Sequence, residues 1–155
     1  MTSAPNAGRF PPLPAERAAL WSTFGRWQTV YFPRFVGIDL EEVRTDYARM
    51  RLPFRPELNQ PAGVVHGGAI ATLIDTVVVP AIGSAYEEPR ALFTIQMQVE
   101  YLDPIVEADA IAEAWIEKRG RSTVFCRVEV YTPAGTLAAI GTLIYKVSSR
   151  PRPTA

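Results

Sequence analysis

The apolar pattern is densest over residues 67–86, GGAIATLIDTVVVPAIGSAY, where Asp75 is the only charged side chain in twenty residues. Its length, small residues and twin glycines predict a helix that starts near Gly67. At 100° per residue, Gly68, Ala71, Thr72, Val78, Val79 and Ile82 share a face with Asp75, and Ile70, Leu73 and Val77 occupy the other side. A helix that is apolar all round is buried all round. One sheet covers only one face, so the second face needs a tail, a neighbouring helix or another subunit. Pro80 removes the bond to the Thr76 carbonyl and predicts a bend or an early end there.

Elsewhere the period is closer to two. Residues 38–54 place Val43, Thr45, Tyr47 and Arg49 in alternation with charged or polar residues, which predicts a long half-exposed strand or hairpin. Residues 55–65 form a loop punctuated by Pro and Gly. Four strand-like segments follow at about 91–101, 108–118, 122–132 and 137–147, separated by the turn signals LDP, RGR and TPAG. Before all of these, residues 14–31 put Ala18, Trp21, Phe24 and Gln28 near one helical stripe and predict an amphipathic helix. Strands joined in succession by short turns pair antiparallel, so the class is α+β rather than doubly wound. Six of the fourteen prolines lie near the two ends. Residues 1–13 and 149–155 are therefore expected to be irregular tails around a single domain at 14–148.

At 155 residues the chain is long enough for one well-cored domain. Sixteen basic residues balance sixteen acidic ones, so the basic footprint that nucleic-acid binding requires is missing in bulk. Cys126 is the only cysteine, which excludes an internal disulfide framework and a cysteine-based zinc site and suits a reducing, cytoplasmic setting. The N-terminus lacks the basic and apolar regions of a secretory signal. The 67–86 run is long enough to raise a membrane span, but an Asp at its centre, a Pro and the lack of flanking Lys or Arg argue against one.

Candidate chemistry centres on Asp75 and on His66, the chain's only histidine. An unpaired buried charge is costly, so a lone carboxylate in an apolar helix persists mostly where it has a partner or a task. The helix N-terminus presents unpaired N–H groups and the positive end of the macrodipole. Gly67 and Gly68 let a ligand come close, making a plausible oxyanion site. Asp75 lies eight residues beyond Gly67, roughly 12 Å along the axis at about 1.5 Å per residue. A base and an oxyanion donor must both reach the same reacting group. One helix cannot supply both, whereas two antiparallel copies across a twofold pair Gly67 of one with Asp75 of the other.

The stretch QPAGVVHGGAIATLIDTVVVPAIGSA (60–85) resembles the H-G-G-(x)n-D segment of hotdog-fold acyl-CoA thioesterases of the phenylacetate-degradation (PaaI-like) type. The spacing from His66 to Asp75 agrees with that family, and EYLDPI (100–105) and RGRSTVFCRVEVYTPAGTLAAIGTLIY (119–145) resemble its later strands. The resemblance covers about residues 37–147 and implies an antiparallel sheet wrapped round the long helix, preceded by an N-terminal helix. It implies hydrolysis of acyl-CoA without metal or cofactor by a homodimer or dimer of dimers with shared sites.

By the same resemblance, the Gly67 N–H polarises the thioester carbonyl with Gly68 helping, His66 shapes the helix start, and Asp75 is base or nucleophile. Gln60 stands where a polar side chain assists the carbonyl, beside Asn59. Phenylacetate-type members usually have Asn there, and the 4-hydroxybenzoyl-CoA branch has Gln with a Glu base; this chain combines Gln60 with Asp75. Thr94 falls near a hydroxyl that orients water. Val79, Ile82 and Phe93 are candidates for the acyl pocket. Arg119, Arg121 and Ser122 sit at a hairpin turn that either meets a CoA phosphate or carries plain solvated charge. Cys126 reads as a small buried hydrophobe, and Trp21 and Trp27 as packing for the N-terminal helix, over the acyl pocket in one reading. The competing functional readings are a non-catalytic acyl-CoA-binding module and a hotdog hydratase. The latter needs a His paired with a carboxylate along the acyl chain, and the single His at the helix start does not fit.

Overall fold

The computed structural model describes residues 5–151. Chain order runs α1 (Ala15–Trp21), α2 (Phe32–Val36), β1 (Asp39–Arg44), β2 (Tyr47–Leu52), α3 (Gly67–Gly83), β3 (Arg90–Tyr101), β4 (Ala110–Arg119), β5 (Thr123–Tyr131) and β6 (Leu137–Pro151). The strands form one sheet in the order β1-β2-β4-β5-β6-β3, every pair antiparallel. The chain leaves β2, passes beneath the sheet as α3 and re-enters at the far edge as β3. The result is the expected α+β hotdog arrangement, a sheet curled around one long helix.

The buried side of α3 consists of Ile70, Leu73, Ile74, Val77, Val78, Ala81 and Ile82, none more than 3% exposed. These residues pack in one cluster with Ala112, Ala114, Val128 and Leu143 of the sheet. The helix comes close to the sheet at Gly141 on β6, where a Cβ would lie 2.6 Å from Cγ2 of Ile74. Only a residue without a side chain lets the helix approach this strand so closely. The opposite stripe, comprising Gly68, Ala71, Thr72, Asp75 and Val79, stays partly open. Val78 and Ile82 therefore belong to the closed side and not to the face of Asp75. A single chain does not bury α3 all round.

Both helix ends are tied down. At the start, Nδ1 of His66 accepts the Gly68 N–H at 2.8 Å. Pro80 does not end the helix early. It continues to Gly83, with the Pro80 carbonyl accepting from the Ser84 N–H at 2.8 Å. Arg119 of β4 then closes the C-terminal end. Its guanidinium donates to the Ile82 carbonyl at 3.2 Å and the Tyr86 hydroxyl at 3.0 Å, and it pairs with Asp46. Asp46 turns the β1–β2 hairpin at φ 63°, a conformation Asp tolerates better than most residues.

The helix expected over 14–31 is shorter than its pattern suggested. α1 ends at Trp21, and the Ser22 and Thr23 hydroxyls donate back to the carbonyls of Ala19 and Leu20. Such local bonds compete with helix continuation, and Gly25 follows at φ 80°. Residues 1–4 and 152–155 of the expected irregular tails lie outside the described residues, and the described parts of both tails are ordered. Residues 7–9 form a 3-10 turn, Phe10 stacks on Tyr47 at 5.3 Å, and the Asn6 side chain donates to the fully buried Glu113 at 3.0 Å. At the other end β6 runs on through Pro151. No helix among the described residues is long and apolar enough to cross a membrane.

Two substitutions test this packing by denaturant unfolding. Gly141→Ala forces helix and strand apart and is expected to cost about 1–3 kcal/mol. Arg119→Ala leaves a helix-end carbonyl and a tyrosine hydroxyl unpaired and is expected to cost about 1–3 kcal/mol, whereas Arg121→Ala, in the exposed turn, stays within about 0.5 kcal/mol of the parent.

Candidate active site

Asp75 occupies the middle of the open stripe of α3 and is half-buried. The Tyr145 hydroxyl donates to its Oδ1 at 2.6 Å and to its backbone carbonyl at 2.9 Å. The Thr94 hydroxyl donates to the same Oδ1 at 3.0 Å. Both donors come from strands remote in sequence, β6 and β3, whose register places Thr94 opposite Tyr145. Oδ2 receives no hydrogen bond from the described residues. The carboxylate is thus held by one oxygen and free at the other, beside a cavity of about 360 Å³ that Val79 and Leu92 also line.

Tyr145 was not singled out in the sequence, although a signal for it existed. Along β6, Gly141, Leu143, Tyr145 and Val147 alternate inward and are all buried. A tyrosine in such a row brings a hydroxyl that needs a partner inside. Burial first, and then its bond to Asp75, push the tyrosine pKa well above its ordinary value. It therefore remains a proton-bearing donor throughout the physiological range.

At the helix start the two glycines differ. The Gly68 N–H is engaged by His66, so the expectation that Gly68 assists as a second open donor is corrected. No acceptor faces the Gly67 N–H among the described residues. Tyr101, also unforeseen, covers Gly67: its hydroxyl donates to the Gly67 carbonyl at 2.8 Å, and its ring lies 3.2 Å from where a Cβ would be. The imidazole of His66 is exposed and acts as the helix cap.

The remaining candidates separate clearly. Gln60 is exposed in a turn closed by its own N–H to the Val64 carbonyl, and Asn59 bridges to Val65 with its side-chain oxygen buried. Ile82 is fully buried in the core, so it does not line the pocket. Phe93 pairs with Lys146 on the face of β3 away from Thr94 and is 59% exposed, so it too lies outside the pocket. Arg119 serves the helix end and the β1–β2 turn, which corrects its assignment to CoA phosphate. Arg121 and Ser122 remain exposed in the β4–β5 turn. Cys126 is buried, and burial pushes its thiol up to about 12, so it is a core side chain rather than a nucleophile. Among the described residues no three His, Cys, Asp or Glu side chains converge as metal ligands would.

A family model described as the thioesterase superfamily matches residues 62–139, the span that carries α3, β3, β4, β5 and the start of β6. A Halobacterium salinarum protein named as a candidate esterase is 36% identical over 110 residues, covering 68% of this chain and 72% of its own. The chain belongs to the thioesterase superfamily. As a member it is a thioester hydrolase. Two solved structures share its fold: the PaaI protein of the Escherichia coli phenylacetic acid degradation operon, and a Haemophilus influenzae thioesterase. The first has a TM-score of 0.77 at 16% identity, covering 88% of this chain and 97% of that one. The second has 0.70 at 22% identity, covering 75% and 81%.

Removing the Tyr145 hydroxyl deprives Asp75 of its closest hydrogen bond while leaving the ring in place. In steady-state kinetics, Tyr145→Phe is expected to lose about tenfold or more in kcat, since one buried hydrogen bond to a charged group contributes about 1.5–3 kcal/mol. The same lost bond should lower the thermal midpoint by several degrees, so kcat is compared well below the transition, where both proteins are folded.

Proposed function

We propose that this thioesterase hydrolyses acyl-CoA at sites built by two copies of the chain. The observation that carries the reading is the separation on α3 of its two unengaged groups. Asp75 has one free oxygen, Gly67 has one free N–H, and they stand roughly 12 Å apart along a rigid helix. A single carbonyl cannot meet both in one chain. Antiparallel helices from two chains bring Asp75 of each to the Gly67 of the other.

The exposed edge of the sheet favours such pairing. β3 is twelve residues long, has one side unpaired, and carries Ile95 and Phe93, each 59% exposed. A long apolar edge is a template for another strand. A second copy meeting it would also lie near the open stripe of α3, covering the face that one chain leaves uncovered.

In the proposed reaction, Gly67 donates its N–H to the thioester oxygen, with the positive end of the α3 dipole behind it. The free oxygen of Asp75 drives attack on the carbonyl carbon, either by taking a proton from water or by direct addition. The C–S bond then breaks and the electron pair leaves with sulfur. Along the water route, the proton taken by Asp75 passes to the thiolate, giving free acid and CoA. Along the direct route, loss of thiolate leaves an acyl–Asp75 anhydride, which water cleaves to free acid and the restored carboxylate while the proton released goes to the thiolate. Thiolate is a good leaving group, so no strong acid or cofactor is required. Tyr145 and Thr94 position the carboxylate by its other oxygen. A binding module on the same fold has no need of a carboxylate held this way.

Asp75→Asn is expected to lose at least 100-fold in kcat/KM on its best acyl-CoA, in keeping with loss of a catalytic base; near-normal turnover would rule the assignment out. Gly67→Pro removes the N–H at a helix position whose φ proline accepts. Because a Cβ there crowds Tyr101 at 3.2 Å, it is compared with Gly67→Ala, which crowds Tyr101 but keeps the N–H. Of these two, only the proline variant should be inactive. Mixing and refolding the two dead variants distinguishes shared from private sites. Random pairing puts half the chains in mixed dimers with one intact site of two, returning roughly a quarter of the parental rate. Sites confined to one chain would return none.

A further inference from the structure

We infer that Trp21 sets the longest acyl chain the enzyme accepts, by closing the far end of a groove that starts at Asp75. The inference rests on Asp75 marking the thioester end, and otherwise on the shape of the space beyond it. Asp75, Val79 and Gly83 lie at i, i+4 and i+8 and so form one row on α3. The roof over this row is a continuous aromatic series from the N-terminal segment. Trp21 and Phe24 are 6.3 Å apart, Phe24 and Trp27 4.9 Å, and Trp27 and Tyr31 5.5 Å between ring centroids.

The space between row and roof is divided into connected compartments. The cavity of about 360 Å³ at Asp75 shares Phe24, Trp27, Val79 and Leu92 with a second cavity of about 160 Å³. In the second, the Trp21 indole lies against the helix backbone at Gly83, where a Cβ would be 2.5 Å from its Cζ2, and Tyr86, Pro89, Arg17 and Arg90 form the rim beyond. Trp21 and Phe24 also line a third cavity, of about 290 Å³, on the far side. Trp21 and Phe24 are therefore the partition between the second and third spaces, with the Trp21 indole at its Gly83 end.

The length follows from the helix. Asp75 and Gly83 are eight residues apart, roughly 12 Å at about 1.5 Å per residue. An extended chain advances about 3.8 Å for every three bonds, so roughly eight to ten carbons fill the groove from the carbonyl to the indole. Phe24, Trp27, Val79 and Leu92 line the path between Asp75 and the indole, and the two arginines at the far rim, Arg17 and Arg90, already donate to backbone carbonyls, so the path favours a hydrocarbon tail. The preferred substrate class is thus a medium-chain acyl-CoA. Longer chains meet the Trp21 ring.

The test compares the native chain with Trp21→Ala and Trp21→Phe on a series of straight-chain acyl-CoAs from six to sixteen carbons. Hydrolysis gives kcat/KM, and the matching S-alkyl-CoA thioethers, which cannot be cleaved, give Kd. The native chain should prefer eight to ten carbons and fall at least tenfold by sixteen. Trp21→Ala joins the two cavities and should raise the ratio of sixteen-carbon to eight-carbon substrate at least tenfold. Trp21→Phe keeps a ring in the packing and should fall between. If both variants keep the native length profile in kcat/KM and in Kd, the inference is overturned and the hydrolytic reading stands. If nothing is hydrolysed but thioether affinity shifts with Trp21 as described, the groove is upheld and the hydrolytic reading falls.

Discussion

The close approach of α3 to β6 at Gly141 governs the rest of the molecule. A methyl of Ile74 takes the place a side chain at 141 would fill, which fixes the separation of helix and sheet at the residue before Asp75. Four residues along the same strand, on the same face, stands Tyr145. At this separation its hydroxyl reaches both the carboxylate and the backbone carbonyl of Asp75. A side chain on 141 would lift the helix and lengthen both bonds together. Packing and chemistry are coupled through one missing Cβ.

The charge that looked costly in the sequence is accommodated by geometry rather than by a counter-ion. Two hydroxyls donate to one oxygen of Asp75, a form of solvation that keeps a carboxylate in place without neutralising it. Because both donors use the same oxygen, the other remains available. The helix start behaves in the same selective way. His66 satisfies the Gly68 N–H and leaves that of Gly67 open, so each end of the proposed reaction has one group held and one group free.

Ahead of the fold, the N-terminal segment contributes shape rather than chemistry. Its pattern reads as a single amphipathic helix, yet hydroxyl back-bonds and Gly25 break it after Trp21. The aromatic residues that would have lined one helical stripe instead step along α3 as a roof. Arg119 shows the reverse. It looks like a surface charge at a hairpin, and tertiary packing turns it inward to close the helix and hold the β1–β2 turn.

Much of this protein is legible from local pattern. Strand-like pattern and turn signals located β3 to β6 and marked residues 38–54 as a strand or a hairpin, which the structure resolves into β1 and β2. The apolar run located α3, and the lone Asp75 beside His66-Gly67-Gly68 located the chemistry, because local pattern and an isolated charge are properties of neighbouring residues. The partners of Asp75 were not legible in the same way, since Thr94 and Tyr145 lie 19 and 70 positions away and meet it only through strand register. Pocket membership failed for a related reason. Ile82 and Phe93 have suitable side chains, but the orientation of α3 against the sheet and the pleat of β3 point them elsewhere. What the sequence determined by itself was which segments become helix and strand and which residue carries the charge. What only the tertiary structure decided was which face of α3 stays open and what reaches it, because that depends on how closely two distant backbones can approach.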